Sequence, residues 1–542
     1  MVRVLTSVVR VPLALMAQQQ RHQLPAATQA LFTHVTGSSG SARRFSSSDG
    51  GKDKILDQAR KWQRQKPEEK ARNVVSVQID RSALKQPGAY PGRIASEEML
   101  SKKSKENDLV QVIRTMIEVK GPLTVSEFMQ RALSHPQHGY YMKKDVFGTK
   151  GDFTTAPEIS QMFGELIGIW CVATWQQMGM PTAIKIVEMG PGRGSLMSDF
   201  LRAAKSFPPF YQALEIHMVE ISPALRKIQQ ENLNCQPIGE KETAANKMQI
   251  PDGPTVQWHQ DFGNVPHGPS LMIAQELFDA LPVHQFEYTS KGWCERLVDV
   301  DYEDGEDHFR FVLSPGPTPA TRVYIGRQKV FDPNAIPIQV PSPTSDPMLI
   351  GGTERADHIK RLDIHDGSSP ITTANAQVGD RIEVSPMGIA LSQDIAKRVS
   401  QFGGGALIID YGHDRPSELS LRGIKSHEFV SVLREPGDVD LSIDVDFATL
   451  RRYATLEANV QGFGPIGQGA FLKNMGIEHR LAALLQNCES EEVQEELFSA
   501  YERLVEPDQM GSIFKAMALT HTDIGQPVGF EDASQATQEE KQ

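Results

Sequence analysis

Residues 184–194 read IKIVEMGPGRG. Ile184–Met189 is a short apolar run of strand type, it ends in glycines, and SLMSDFLRAAK (195–205) continues with helical spacing. Glycines at a strand end that opens a helix let the backbone approach a ligand closely. The pattern is E-x-G-x-G-x-G. No lysine follows, so a phosphate-binding P-loop is excluded, and Ser195 falls where a dinucleotide fingerprint wants its last glycine. Outward from this turn, Glu215–Glu220 (EIHMVE), Val256–His259, Leu271–Ala274 (LMIA) and Ala406–Tyr411 (ALIIDY) are further buried strands, with helical patterns between several of them. Apolar strands alternating with helices predict a parallel sheet covered on both faces.

The acids around the turn narrow the ligand. Glu188 precedes Gly190, Gly192 and Gly194, and Glu220 closes the second strand. S-adenosylmethionine suits this set. Its cationic amino-acid end needs backbone approach and a nearby carboxylate, and a carboxylate accepts both hydroxyls of its ribose in bidentate fashion. Near the third strand, Trp258, Asp261 and Phe262 offer an apolar clamp and a polar acceptor for adenine. Taken singly, each acid reads as a solvated loop residue and the glycines as a tight turn. Their order on alternating strands is what points to the methyl donor.

The chain has 542 residues, 39% hydrophobic and 23% charged, with a formal charge of −12. Length allows about three domains or one decorated fold. The acidic balance argues against a nucleic-acid partner engaged through a broad basic surface. Cys171, Cys235, Cys294 and Cys488 are far apart with no C-x-x-C pair, as in a reducing compartment. There is no 18-residue apolar run, so no membrane span is expected. Residues 1–48 contain no Asp or Glu but carry Arg3, Arg10, Arg21, Arg43 and Arg44, which leaves 51 basic against 68 acidic residues in the remainder. An acid-free, Arg-bearing, Ser-rich start predicts a mitochondrial transit peptide over 1–46 and import into the matrix. A charged linker is expected over 47–108, and N-terminal helices plus the core over 109–303. An inserted β-containing subdomain with a Pro-rich disordered loop is expected over 304–384, the rest of the core with C-terminal helices over 385–521, and a loose tail over 522–542.

Six stretches carry a resemblance: GDFTTAPEISQMFGELIGIW (151–170), VEMGPGRGSLMSDFLRA (187–203), AQELFDALPVHQF (274–286), DYGHD (410–414), DVDLSIDVDFATLRR (438–452) and GPIGQGAFLKNMGI (464–477). Over roughly residues 115–521 the chain resembles the MidA family of mitochondrial protein arginine methyltransferases, which act as complex I assembly factors. Gln275 departs from the pattern, where Asn or His is expected. The resemblance implies an α/β, seven-strand, S-adenosylmethionine-dependent methyltransferase (Rossmann-like) fold with the inserted subdomain and helical additions. It also implies methylation of arginine on a complex I core subunit, giving symmetric dimethylarginine and supporting complex I assembly.

Arginine is a poor nucleophile because its charge is delocalised and persistent. A carboxylate pair can grip the guanidinium and localise its charge away from the attacking nitrogen. Glu276 and Asp279, just past the fourth strand, are the candidate catalytic pair; the bland alternative is that Asp279 caps a turn and Glu276 binds a backbone N–H. Asp152, Thr154 and Glu158 form a candidate lid with hinges at Gly148 and Gly151, weighed against plain helix capping. Tyr411 and His413 are placed at the substrate entrance, although a lone histidine there is more often a surface residue. Asp438, Asp440, Asp444 and Asp446 could attract a basic peptide or simply be a solvated loop with a helix cap. No donor set has metal-ligand spacing. Two other readings stay open: a non-catalytic assembly chaperone that keeps the donor-binding fold, and an NAD-linked oxidoreductase. A homodimer is possible.

Overall fold

A computed structural model describes residues 106–143, 154–238, 246–303, 307–325 and 376–531, together with a two-residue strand at Arg93–Ile94. Every described residue belongs to the unit Glu69–Gln542. The expected transit peptide, Asp152, Gly148, Gly151 and the Pro-rich loop lie outside the described residues.

Helix α1 (Asp108–Lys120) starts at Asn107, whose side chain accepts from Val110 N–H at 2.9 Å. Its apolar face buries Leu109, Val110, Ile113 and Ile117. Helix α2 (Val125–Ser134) opens with a reciprocal cap between Thr124 and Glu127. Helix α3 (Gln161–Gln177) is buried on all sides from Gln161 to Trp175. Such a helix has to be packed from every direction. A Cβ at Gly164 would lie 2.7 Å from the Asp199 Cβ, which shows how closely α4 (Ser195–Ala204) approaches it.

The principal sheet contains β1 (Ile184–Met189), β2 (Leu214–Val219), β3 (Thr255–His259) and β4 (Ser270–Gln275), with α4 after β1 and α5 (Pro223–Asn232) after β2. A second sheet follows at once: β5 (His284–Thr289), β6 (Gly292–Val300), β7 (Phe309–Leu313) and β8 (Arg381–Val384), in the order β7-β6-β5-β8. Helix α6 (Pro386–Phe402) returns the chain to the principal sheet at β9 (Gly404–His413). A third, small sheet holds β10 (Arg422–Lys425), β11 (Glu428–Val430) and β12 (Asp440–Ser442). Then come α7 (Phe447–Ala454), β13 (Val460–Gly467), α8 (Gln468–Asn474), α9 (Ile477–Gln486), α10 (Glu491–Val505) and β14 (Phe514–His521).

Within the principal sheet the order is β13-β14-β9-β4-β1-β2-β3. β3, β2, β1, β4 and β9 are mutually parallel, whereas β14 runs antiparallel to both β9 and β13. Two short strands, Lys247–Gln249 and Gln236–Pro237, extend the β3 edge. This is the expected α/β seven-strand arrangement with one reversed strand. Chain order reverses between β1 and β4, so a crevice opens at their carboxyl ends.

Two expectations need correcting. The insert does not begin at 304: β5 and β6 already belong to the second sheet, because His284–Thr289 pairs antiparallel with Gly292–Val300 across a tight turn. Within the expected charged linker, Arg93–Ile94 pairs in parallel with Glu428–Phe429. The tail is not loose throughout, because Val528 and Phe530 are buried and the Phe530 ring lies 5.5 Å from that of Phe471. Strand β13 and the β10–β11 hairpin have no counterpart in the sequence reading. Among the described residues no helix is long and apolar enough to cross a membrane.

Candidate functional site

A cavity of about 800 Å³ opens at the carboxyl ends of β1, β2 and β4. One arm is built by the glycine turn. Gly190, Gly192 and Gly194 all have positive φ, at 66°, 52° and 80°. Side chains rarely adopt that conformation, and a Cβ at Gly190 would also lie 2.9 Å from Leu277 Cδ1. Glu188 and Glu220 flank the turn, both buried. Burial pushes Glu188 up to about 8, and the nearby Glu220 charge adds to the rise. Burial also raises Glu220, to about 7, against the pull of the Ser222 N–H and the Gln229 amide. Those two groups meet its oxygens at 2.8 and 3.2 Å. Asp261 and Phe262 also line this arm. Asp261 Oδ1 accepts from Gly263 N–H at 2.6 Å, which closes the turn after β3. Trp258 is not a wall of the cavity: it is buried behind Gln229, to which its indole N–H donates at 2.8 Å.

The set fits a cationic nucleoside. Glu188 Oε2 is buried without a hydrogen-bond partner at the end of β1. An unpartnered carboxylate oxygen beside left-handed glycines is matched by a ligand that brings positive charge and N–H donors.

The second arm carries the other acids. Glu276 has φ 50°, a strained conformation for a residue with a side chain. Its Oε1 accepts from Ala156 N–H at 3.1 Å and Gln275 Nε2 at 2.8 Å. The backbone-binding alternative is therefore realised for one oxygen. Burial raises Glu276 to about 8. Asp279 sits on the 3-10 turn Phe278–Ala280 and accepts the Tyr411 hydroxyl. Burial raises it to about 6, with the Tyr411 hydrogen bond opposing. Asp279 hangs from Asp410, whose Oδ2 accepts from the N–H groups of Leu277, Phe278 and Asp279 at 3.1, 2.9 and 3.3 Å, and the Glu276 N–H donates to the neighbouring Ile409 carbonyl at 2.9 Å. Asp410 is not among the sequence-predicted site residues; a charge inside the apolar run ALIIDY is the signal that marks it.

Thr154 and Glu158 line the cavity, and Glu158 Oε2 accepts from Thr155 N–H at 3.4 Å while Oε1 lies 3.6 Å from Arg193. Ser160, not Glu158, caps α3, accepting from Met162 N–H at 3.2 Å. Tyr411 lines the cavity; His413 does not, and its half-exposed ring pairs with Asp444 at 3.4 Å. The four late aspartates also separate. Asp438 accepts from Asn107, Asp444 from Arg422, and Asp446 caps α7. Only Asp440 lines the cavity, where Tyr141 donates to it at 2.9 Å.

A sequence model of S-adenosyl-L-methionine-dependent methyltransferases matches residues 166–336 and 353–466. The chain belongs to that family. Among similar proteins, the mitochondrial protein arginine methyltransferase NDUFAF7 of Xenopus laevis is 38% identical over 421 residues, 76% of this chain and 84% of that one. Its Homo sapiens counterpart is 36% identical, covering 76% and 84%. The Drosophila melanogaster homolog is 37% identical, covering 82% and 93%. Among solved structures, a superfamily member from Burkholderia thailandensis, bound to S-adenosyl-homocysteine, superposes with a TM-score of 0.56 at 22% identity, covering 80% of this chain and 96% of that one. It shares the fold. Membership in a donor-dependent methyltransferase family agrees with the donor chosen from the acids and glycines alone.

Proposed function

We propose that this chain is a protein arginine methyltransferase of the mitochondrial matrix. It forms symmetric dimethylarginine on a complex I core subunit and thereby supports complex I assembly. The observation that carries the reading is the acid lining of one continuous cavity: Glu188, Glu220 and Asp261 in one arm, and Glu276, Asp279 and Asp440 in the other. The names of the relatives and the arginine-bearing, acid-free residues 1–48 support it.

When bound, S-adenosylmethionine supplies a methyl group already activated by its sulfonium. The protein therefore contributes position and electrostatics. Glu188 faces the cationic amino-acid end, Glu220 takes the ribose hydroxyls, and Asp261 with Phe262 borders the adenine. Across the cavity Glu276 and Asp279 hold the guanidinium as a fork. A guanidinium between them favours their charged forms against the burial that raises both, and the two carboxylates then concentrate positive charge on the nitrogens they bind, leaving the third nitrogen more nucleophilic. Asp410 and the strained backbone at Glu276 keep the pair aimed.

The test is labelling of the complex I core subunits with donor carrying an isotopic methyl group, followed by hydrolysis to separate symmetric from asymmetric dimethylarginine. Label in the symmetric form, lost in Glu276→Gln while calorimetry still detects donor binding, is the expected result. Gly192→Val tests the assembly role: if it blocks donor binding yet complex I still assembles, the catalytic reading of that role is wrong.

A further inference from the structure

The second sheet also reaches the cavity. His284, the first residue of β5, and Tyr324, in the turn Thr321–Ile325, line it, as Asp279 does. His284 Nδ1 lies 2.6 Å from Glu295 Oε1 on β6. Glu295 is 1% exposed, so the pair is sealed on that side. Its other oxygen accepts the Thr318 hydroxyl, and its own N–H donates to Ser314 Oγ at 2.9 Å. The carboxylate cannot turn away. A carboxylate at Nδ1 fixes the proton there and leaves the Nε2 lone pair as an acceptor. Among the described residues no hydrogen bond or ion pair involves Nε2, and the imidazole keeps 15% of its surface accessible. That accessible edge belongs to a residue that lines the cavity. The Tyr324 ring leans on the imidazole at 5.1 Å and limits its rotation.

Resting on the arginine methyltransferase reading above, we infer that His284 is a catalytic base of this enzyme and Glu295 its positioning residue. In the step, the sulfonium S–CH3 bond breaks and an N–CH3 bond forms, with the sulfur keeping the bonding pair. The attacked nitrogen gives its N–H proton to His284 Nε2. The resulting imidazolium is stabilised by Glu295 at Nδ1 and later releases the proton to solvent. Glu276 and Asp279 do not serve this step well, because as gripping carboxylates they must stay charged against the guanidinium. Of the groups packed on His284, β6 supplies Glu295, the Thr321–Ile325 turn supplies Tyr324, and β8 presents apolar Val384 opposite it.

The inference is tested with His284→Gln and Glu295→Gln in the full chain. Each should lower kcat by about 100-fold or more, the range for a positioned base. Donor affinity by calorimetry should stay close to wild type. Wild-type kcat in both variants would overturn the inference. A second readout needs no turnover: nitrogen-15 spectra of histidine-labelled protein, recorded with S-adenosylhomocysteine and an arginine peptide. The Nδ1–H tautomer, with an Nε2 resonance that moves on peptide addition, supports the dyad. An Nε2–H tautomer, or an Nε2 unmoved at saturating peptide, overturns it. If wild type methylates no arginine substrate, the arginine reading fails on its own, whatever these spectra show for His284.

Discussion

Gln229 donates its side-chain amide to the Gly192 carbonyl at 2.7 Å, and so ties α5 to the middle of the glycine turn. The same nitrogen lies 3.2 Å from Glu220, and its oxygen accepts the Trp258 indole N–H. One buried amide therefore sets the distance between the glycine turn, the ribose acid and β3. Gln229→Ala should leave Trp258 Nε1 and a Glu220 oxygen short of a partner. At about 1–3 kcal/mol for each buried group so stranded, a clear loss of stability is expected in a denaturant titration. Donor affinity should fall by about tenfold or more by calorimetry. A variant that melts lower yet binds the donor with wild-type affinity would mean that the amide supports the fold without shaping the donor site.

Glu188 gives a pH prediction. Burial, reinforced by Glu220, raises its folded value to about 8 from an unfolded value near 4.5. The folded state therefore binds the extra proton between those limits. Its stability contribution is complete below about pH 4.5 and is lost as pH climbs through 8. Glu188→Gln removes that loss. The variant should melt above wild type at pH 8.5 and level with it near pH 4.5, even though it binds the donor more weakly. In wild type, a cationic donor pulls both Glu188 and Glu220 down, so binding should tighten from pH 6.5 to 8.5 and release protons. Calorimetry in buffers of different ionisation enthalpy measures that release, and zero protons released at pH 7.5 would contradict the placement of the cationic end at Glu188.

What could be read without coordinates follows from range. Ile184–Gly194, Glu220 and Glu276 are legible because strand, turn and acid lie within a few residues of one another, and parallel strands bring their carboxyl ends together by topology alone. Asp410 shows in sequence only as a charge inside an apolar run, and Gln229 not at all, because each acts across the fold: Asp410 on N–H groups more than a hundred residues earlier, Gln229 on a neighbouring turn. The four late aspartates look alike in sequence, yet only burial beside Tyr141 sets Asp440 apart. His284 and Glu295 are not legible, because each sits between one apolar and one polar residue (Val283 and Gln285, Cys294 and Arg296) in what reads as ordinary strand. Their meeting depends on hairpin register, which a turn without a strong signal does not announce.

Tyr411 and Asp279 supply a third test. Burial raises Asp279, and the Tyr411 hydroxyl opposes that by favouring the charged carboxylate. Tyr411→Phe removes the opposition, so Asp279 should titrate higher. If Asp279 must be ionised to hold the guanidinium, the activity lost on acidification should be lost at higher pH in the variant. At pH 6.5 the variant should be several-fold slower than wild type, and at pH 9 nearly equal to it. An equal deficit at both values would show that Tyr411 acts by shape and not through the Asp279 charge.

Glu165 and Arg480 lie at the centre of the helical layer, each 5% exposed at the side chain, with Nε to Oε2 at 2.6 Å and a second contact from the guanidinium to Oε1 at 3.0 Å. Arg202 also reaches Glu165, at 3.0 Å, and bonds to Asp199. The cluster joins α3, α4 and α9, so it anchors the helix that follows the glycine turn. Breaking a buried pair by removing one partner leaves an uncompensated charge and costs about 3–5 kcal/mol, whereas replacing both partners by apolar groups of similar volume is often neutral. Arg480→Met alone should therefore lower the unfolding midpoint sharply, and the double variant Glu165→Met with Arg480→Met should recover part of the loss. Full recovery is not expected, because Arg202 would then lose its contact with Glu165 and keep only Asp199. If the double variant is no more stable than Arg480→Met, the pair is not the source of the penalty, and packing of the long arginine stem against α3 accounts for it instead.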